Sequence, residues 1–137
     1  MKRARSMFLT KECDYAIRVV RSLADREIKS VKMICADEHI PHPFAYKILK
    51  KLEWAGIVKS FRGSAGGYQM VKNPDDITLL DIVSAVDDHL LLNECLQEGY
   101  VCENNAHGRL CSVHIELNRL QALLVGALTE KTMRDLV

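Results

Sequence analysis

Three cysteines and a histidine lie close together in the second half of the chain, within the segment CLQEGYVCENNAHGRLCSVH. Cys95, Cys102 and Cys111 are separated by six and eight residues, and His114 follows three positions after the last of them. Thiolates and imidazole bind zinc and iron, and thiolates are also the groups that oxidants attack. The glycine and asparagine residues between them predict a loop, which could wrap a metal centre.

The start of the chain favours a cytoplasmic protein whose thiols stay reduced. Its basic first residues, MKRARSMFLTKE, lead into no apolar signal-peptide core, and no apolar run approaches the about 20 residues of a membrane span. Clustered reduced cysteines indicate metal or redox chemistry more than disulfides. A closed zinc site is one alternative, although structural zinc sites usually use shorter cysteine spacings. Cys13 and Cys35 fall on predicted helices and are expected in the core.

Charge is distributed unevenly along the 137 residues, although the net charge is only +1. Residues 1–72 contain 15 Lys and Arg against 7 Asp and Glu, whereas residues 73–137 contain 4 against 11. A basic half followed by an acidic half is typical of a nucleic-acid-binding module with an attached assembly or sensing segment. The alternative is that the basic and acidic halves form salt bridges with each other and bind no partner.

Hydrophobic periodicity predicts two short helices joined by a tight turn. The first ends near His39, and Pro41 cannot continue it. Pro43 suits the first turn of the second helix, and Gly56 suits its end. Four apolar residues at helical spacing form the inner face of that helix: Ala45, Ile48, Leu49 and Leu52. Its outer face is basic and would attract phosphates, with His42, Tyr46, Lys47, Lys50 and Lys51.

A β-hairpin is predicted directly after these helices, with Ile57 and Val58 on one strand and residues 68–71 on the other. Its glycine-rich tip carries Arg62, and an arginine on a thin tip can enter a minor groove. Helix-turn-helix and hairpin together predict a winged helix. Near the C-terminus, Leu117, Leu120, Leu124 and Ala127 form one stripe of a helix that is apolar enough to pack on two sides. One of those sides could contact a second subunit.

The order of LTKECDYAIR, AGIVKSFRGSAGGYQM, ITLLDIVSAVD and a three-cysteine loop resembles the Rrf2 family of bacterial transcription regulators, over nearly all of residues 7–137. The resemblance implies a mainly α fold with a small β-hairpin: a winged helix-turn-helix DNA-binding domain plus a long C-terminal dimerisation helix. It divides the chain into a basic N-terminal extension (1–6), the winged domain (7–88), a sensor loop (89–112) and the dimerisation helix with its tail (113–137).

The same resemblance implies that the second helix enters the major groove of double-stranded DNA while the wing arginine enters the minor groove. The DNA-binding candidates are His42, Tyr46, Lys47, Lys50, Ser60, Arg62 and Ser64. Pro41, Pro43, Tyr46 and Lys47 depart from the residues usual in the family, so the operator sequence cannot be carried over.

The resemblance also implies an iron–sulfur cluster held by Cys95, Cys102 and Cys111. In the family, a histidine at the position of His114 completes a [2Fe–2S] site, and a carboxylate at the position of Asp14, from the other subunit, completes a [4Fe–4S] site. We favour His114 because its spacing is local. Some members have few or no cysteines, which leaves a cluster-free regulator, sensing by thiol oxidation or through a partner enzyme, as the alternative.

Enzymatic function is not expected, because the sequence contains no oxyanion-type loop, no carboxylate–histidine spacing and no cofactor fingerprint. A winged-helix module that binds a metabolic enzyme instead of DNA is the remaining alternative. The expected partners are therefore an operator duplex and a second copy of the chain.

Overall fold

The computed structural model describes residues 8–88 and 90–137, so the predicted extension 1–6 lies outside the described residues. The helices in this part of the chain are α1 (Lys11–Ser22), α2 (Val31–Glu38), α3 (His42–Trp54), α4 (Leu79–Val86), α5 (Ser112–Leu128) and α6 (Met133–Leu136). The hairpin strands are β1 (Val58–Phe61) and β2 (Gly67–Met70), and short 3-10 turns lie at Pro74–Asp76, Glu94–Leu96 and Glu103–Asn105.

Side-chain caps explain where the first helices begin. Thr10 precedes α1 and accepts a hydrogen bond from the N–H of Cys13, and Ser30 does the same for Met33 in α2. Thr78 and Asp81 exchange the two hydrogen bonds of a capping box at the start of α4. These local interactions satisfy N–H groups that have no partner within the helix.

The helix-turn-helix forms as predicted. Glu38 ends α2, and His39 takes up the left-handed conformation (φ 54°) that turns the chain. Pro41 then precedes α3, and Gly56 follows that helix at a φ of 75°. The predicted inner face is fully buried: Ala45, Ile48, Leu49 and Leu52.

One apolar core holds α1 to α4 together, and it includes a residue from the far end of the chain. Met133 of α6 is buried, and its N–H donates to the carbonyl oxygen of Ile77 at 2.8 Å. The tail after α5 therefore packs back onto the winged domain. Cys13 and Cys35 are buried in this core, which confirms the expectation for both.

The hairpin is antiparallel, with Val58 opposite Met70 and Phe61 opposite Gly67. Lys29, in the loop before α2, adds a third backbone segment by exchanging two hydrogen bonds with Tyr68, at 2.8 and 2.9 Å. A Cβ atom on Gly67 would collide with the Lys29 carbonyl. The loop before α2 therefore supports the wing, and glycine at this position permits the approach.

Helix α5 extends over 17 residues, and none of them is buried in this single chain. Gln121 faces the rest of the chain, since its side chain accepts from the N–H of Leu92 and donates to the carbonyl of Leu90. Several large apolar side chains of α5 are instead exposed: Val113, Ile115, Leu120 and Leu123. Within the described residues, no helix is long and apolar enough to cross a membrane.

Candidate DNA interface and cysteine loop

The predicted DNA-facing residues of α3 lie on one exposed surface. His42, Tyr46, Lys47 and Lys50 are all exposed, and they occupy positions i, i+4, i+5 and i+8 of the helix. Helical spacing places such residues on one side of the cylinder. Lys51, which the sequence places on the same face, differs: its side chain is only 30% exposed and forms an ion pair with Glu12 of α1.

All three candidate residues of the wing are exposed, but one of them is hydrogen-bonded within the protein. Arg62 and Ser64 are exposed at the tip, between the two strands. Ser60 has a partner within the protein, because both its N–H and its hydroxyl donate to Glu53 Oε1, at 2.9 and 2.7 Å. These hydrogen bonds hold the pKa of the Glu53 carboxyl below its ordinary value. Glu53 is at the end of α3, so the contact fixes the wing to α3.

Sequence reasoning missed Trp54, the last residue of α3. It is 76% exposed, and the ammonium of Lys50 lies 5.5 Å from the centre of its ring. An indole this exposed beside a cation offers apolar and cation–π contact at the end of α3. The signal was present in the sequence, since Trp54 follows Lys50 by four residues and therefore lies on the same helix face.

Three of the four predicted cofactor ligands surround one cavity in the cysteine loop. Cys95, Cys102 and His114 line a space of about 410 Å³ between the loop and the start of α5. Cys111 does not line it; this residue precedes α5 and its backbone N–H donates to Asn105 Oδ1 at 3.1 Å. The loop thiols are free and partly exposed.

His114 has one nitrogen without a partner. Its Nδ1 is buried and neither accepts a hydrogen bond from the described residues nor donates one to them. A buried polar atom without a partner is costly, and a metal ligand bond or a hydrogen bond to a bound group would satisfy it. Thiolates, a free imidazole nitrogen and an adjoining cavity match in type what an iron–sulfur group requires. In the part of the chain that the structure describes, no three His, Cys, Asp or Glu side chains are positioned to hold a metal ion together.

Asp14, the other predicted fourth ligand, lies apart from this cavity in the described chain. Its carboxylate binds the Arg18 guanidinium of the same helix, at 3.0 and 3.1 Å. The single chain therefore brings His114, and not Asp14, next to the loop thiols.

Comparison with known proteins decides the family. The Rrf2 profile, described as an iron-dependent transcriptional regulator, matches residues 9–137. The chain belongs to the Rrf2 family. It is similar to the HTH-type transcriptional regulator NsrR of Shouchella clausii, with 30% identity over 96% of this chain and 89% of that protein.

Solved structures of similar fold include T. potens IscR and the global cysteine regulator CymR of B. subtilis. Both have a TM-score of 0.73, with 21% and 22% identity respectively. The similarity covers 93% of this chain and 84% of the IscR chain, and 96% of both chains for CymR. These structures confirm the winged-helix fold that the sequence predicts.

Membership of the Rrf2 family makes this chain a transcriptional regulator. Members of that family regulate transcription and are not enzymes, which confirms the expectation drawn from the sequence.

Proposed function

We propose that this Rrf2 regulator binds an operator duplex as a homodimer and senses iron–sulfur, redox or nitric-oxide status through a cluster held by its cysteine loop. The observation that carries the sensing part is the cavity lined by Cys95, Cys102 and His114, the last of which has a buried Nδ1 without a partner. The description of the family as iron-dependent supports the same proposal.

DNA binding is assigned to α3 and the wing. The exposed side chains of His42, Tyr46, Lys47 and Lys50 lie on one face of α3, and α3 would lie in the major groove. Arg62 and Ser64 at the wing tip would reach the adjacent minor groove. Ser60 is given a different role, because its hydroxyl already donates to Glu53. Ser60 would position the wing, and Arg62 and Ser64 would contact the DNA.

Dimerisation is assigned to α5. A helix of 17 residues is about 25 Å long, and its exposed apolar side chains face away from its own domain. Exposed apolar surface of this extent usually marks a protein interface. Two-fold pairing along α5 would place two recognition helices on paired half-sites of a duplex.

Cluster ligation is assigned to Cys95, Cys102, Cys111 and His114, with a [2Fe–2S] cluster favoured over a [4Fe–4S] cluster that Asp14 would complete. Once bound, such a cluster supplies an oxidant- and nitric-oxide-reactive iron centre. The thiolates would hold it together with His114, which lines the cavity and has a ring nitrogen without a hydrogen-bond partner. Asp14 would first have to give up its ion pair with Arg18. We place the protein in the cytoplasm, where loop thiols remain reduced.

Purification without oxygen tests the cluster directly. We expect a coloured protein containing both iron and acid-labile sulfide, and we expect Cys102→Ala to lose both while retaining its helical circular dichroism. Cys35→Ala, which alters a buried thiol outside the loop, serves as the matched control and should keep the cluster. A colourless wild-type protein that fails anaerobic reconstitution would support the cluster-free alternative, with sensing by thiol oxidation or through a partner enzyme.

The fourth ligand is tested by two further variants. His114→Ala should shift the visible spectrum and weaken cluster retention, whereas Asp14→Asn should leave both unchanged. His107→Ala, at an exposed loop position, is the control for histidine removal. The reverse pattern, with a spectrum sensitive to Asp14 alone, would assign the ligand to Asp14.

A further inference from the structure

Lys51 joins the recognition helix to two other helices. Its ammonium donates a hydrogen bond to the carbonyl oxygen of Val86, the last residue of α4, at 3.1 Å. The same Nζ lies 2.7 Å from Glu12 Oε1, in the first turn of α1, as an ion pair. One partly buried charge therefore contacts α1, α3 and the end of α4.

The contact with Val86 suits the end of a helix. The last carbonyl groups of a helix have no N–H partner within it, and the C-terminal end attracts positive charge. A charge-assisted hydrogen bond is also stronger than a neutral one. Because Glu12 and Val86 lie on different helices, a shift of α3 relative to either helix would lengthen one of the two contacts.

Glu12 also interacts with a residue on the outer face of α3. Its Oε1 lies 3.8 Å from the ammonium of Lys47, which is 63% exposed and belongs to the candidate DNA surface. A DNA phosphate near Lys47 would compete with Glu12 for that ammonium. Glu12 is thus shared between Lys51, which is partly buried, and Lys47, which faces solvent.

The end of α4 is also the start of the segment that leads to the cysteines. The N–H of Asp87 closes the helix by donating to the Val83 carbonyl at 2.9 Å. The carboxylate of Asp87 lies 3.8 Å from the thiol of Cys13, next to Glu12 on α1. Asp87 thus directly follows Val86, whose carbonyl accepts from Lys51, and it contacts Cys13, the neighbour of Glu12. A conformational change in the segment after Val86 would therefore alter the surroundings of both groups that Lys51 contacts.

We propose that Lys51 is a positioning residue, which makes the orientation of the recognition helix depend on the end of α4 and so on the conformation of residues 87–111. The inference rests on the proposed function, in which α3 binds DNA and the loop senses. Coupling between two sites is reciprocal, so DNA binding must affect the end of α4 as the loop affects DNA binding. This consequence can be measured on cluster-free protein.

The experiment compares wild type with Lys51→Met, which keeps the apolar stem, and Lys51→Arg, which restores a cation. Lys131→Met, at an exposed lysine outside α3, is the control. The probe is a short duplex that the wild-type protein selects from a random pool. Affinity is measured across a salt series, and hydrogen exchange at the Asp87 amide is measured with and without the duplex.

We expect Lys51→Met to bind the duplex about tenfold more weakly, which is a common size for coupling between sites. Its salt dependence should equal that of wild type, because no phosphate contact is removed. The change in Asp87 exchange caused by the duplex should disappear in Lys51→Met and return in Lys51→Arg. A shallower salt dependence in Lys51→Met would identify Lys51 as a phosphate contact. If the duplex still changed Asp87 exchange in Lys51→Met, Lys51 would not couple α3 to the end of α4. Either result overturns the inference.

Two further measurements distinguish a failure of the coupling from a failure of DNA binding: a second variant, and DNA binding by wild type. If Lys51→Met does not fold, Glu12→Gln removes the negative charge of the ion pair with Lys51 and should give a smaller loss of the same exchange response; an unchanged response would overturn the inference. If wild type itself shows no salt-dependent binding to any duplex, the proposed function fails and the inference fails with it. Normal binding by wild type with an unaffected Lys51→Met overturns the inference alone.

Discussion

At the scale of single residues, Ser60 and Arg62 lie two positions apart on the wing but have different surroundings. The Ser60 hydroxyl donates to Glu53 Oε1 at 2.7 Å, whereas Arg62 extends into solvent at the tip. Both are polar residues in one short segment, and the sequence gives them the same role. The difference arises because α3 and β1 meet at Glu53, a contact that depends on how two elements pack.

Arg62→Ala tests the wing contact with DNA. We expect operator affinity to fall by about 1–3 kcal/mol, the usual loss for an arginine that contacts bases or the groove, with the melting temperature unchanged because the side chain is exposed. Fluorescence anisotropy with the selected duplex would measure the loss. Lys72→Ala, another exposed cation on the winged domain, is the control. Equal affinities for wild type and Arg62→Ala would exclude the minor-groove role.

Glu53→Gln tests the link between the recognition helix and the wing. The hydrogen bonds from Ser60 lower the pKa of Glu53 below its ordinary value. Their stabilising effect is therefore complete above that ordinary value and is lost as the pH falls through the lowered folded-state pKa. Thermal unfolding of wild type and Glu53→Gln should differ most near neutral pH and converge in acid. A difference that stays constant with pH would rule out this carboxylate as its source.

At the scale of elements, the sequence predicts what depends on local spacing. The inner face of α3 and the stop at Gly56 each depend on residues within one or two helical turns, and both are confirmed. Contacts between distant segments could not be predicted. The pairing of Lys29 with Tyr68 joins a loop and a strand 39 positions apart, and no pattern within either segment encodes it.

In the candidate site, too, the features that depend on local spacing are predicted and those that depend on packing between segments are not. Helical spacing correctly gives the exposed face of α3, but it places Lys51 on that face because periodicity alone does not show where α1 and α4 lie. The loop thiols and His114 could be recognised from residue type and the family resemblance. That Cys111 lies outside the cavity lined by Cys95 and Cys102 depends on the path of the loop, which sequence spacing does not determine.

Gly67→Ala tests the support that the loop before α2 gives to the wing. The added Cβ would collide with the Lys29 carbonyl and break the two backbone hydrogen bonds between Lys29 and Tyr68. We expect a loss of about 1–3 kcal/mol in unfolding free energy, measured by urea denaturation. Gly63→Ala, where the Cβ would meet open space, should lose only the about 1 kcal/mol of its left-handed conformation. Equal losses in the two variants would mean that the collision is relieved elsewhere.

At the scale of the whole molecule, one side of α5 is half-buried against its own chain, and several large apolar residues of the helix are exposed. Gln121 binds the backbone of Leu90 and Leu92, and Met133 returns the chain to the core. The middle of the helix and the segment that follows it are therefore held to the rest of the chain, while the outward surface of α5 remains uncovered. The basic half of the sequence contains the proposed DNA surface, and the acidic half contains the loop and α5.

Leu123→Glu tests dimerisation through α5. Leu123 is 58% exposed in the single chain, so a glutamate there should leave the monomer fold intact. In a dimer the same carboxylate would be buried against apolar side chains, which is costly without a partner. We expect the dimer dissociation constant to rise on the order of a hundredfold, measured by sedimentation equilibrium, because a central apolar contact commonly contributes more than about 2 kcal/mol. Met33→Glu places the same charge at an exposed apolar position on α2 and should leave the dimer intact. If both variants associate as wild type does, α5 is not the interface. If both dissociate, the effect comes from added negative charge and not from the α5 surface.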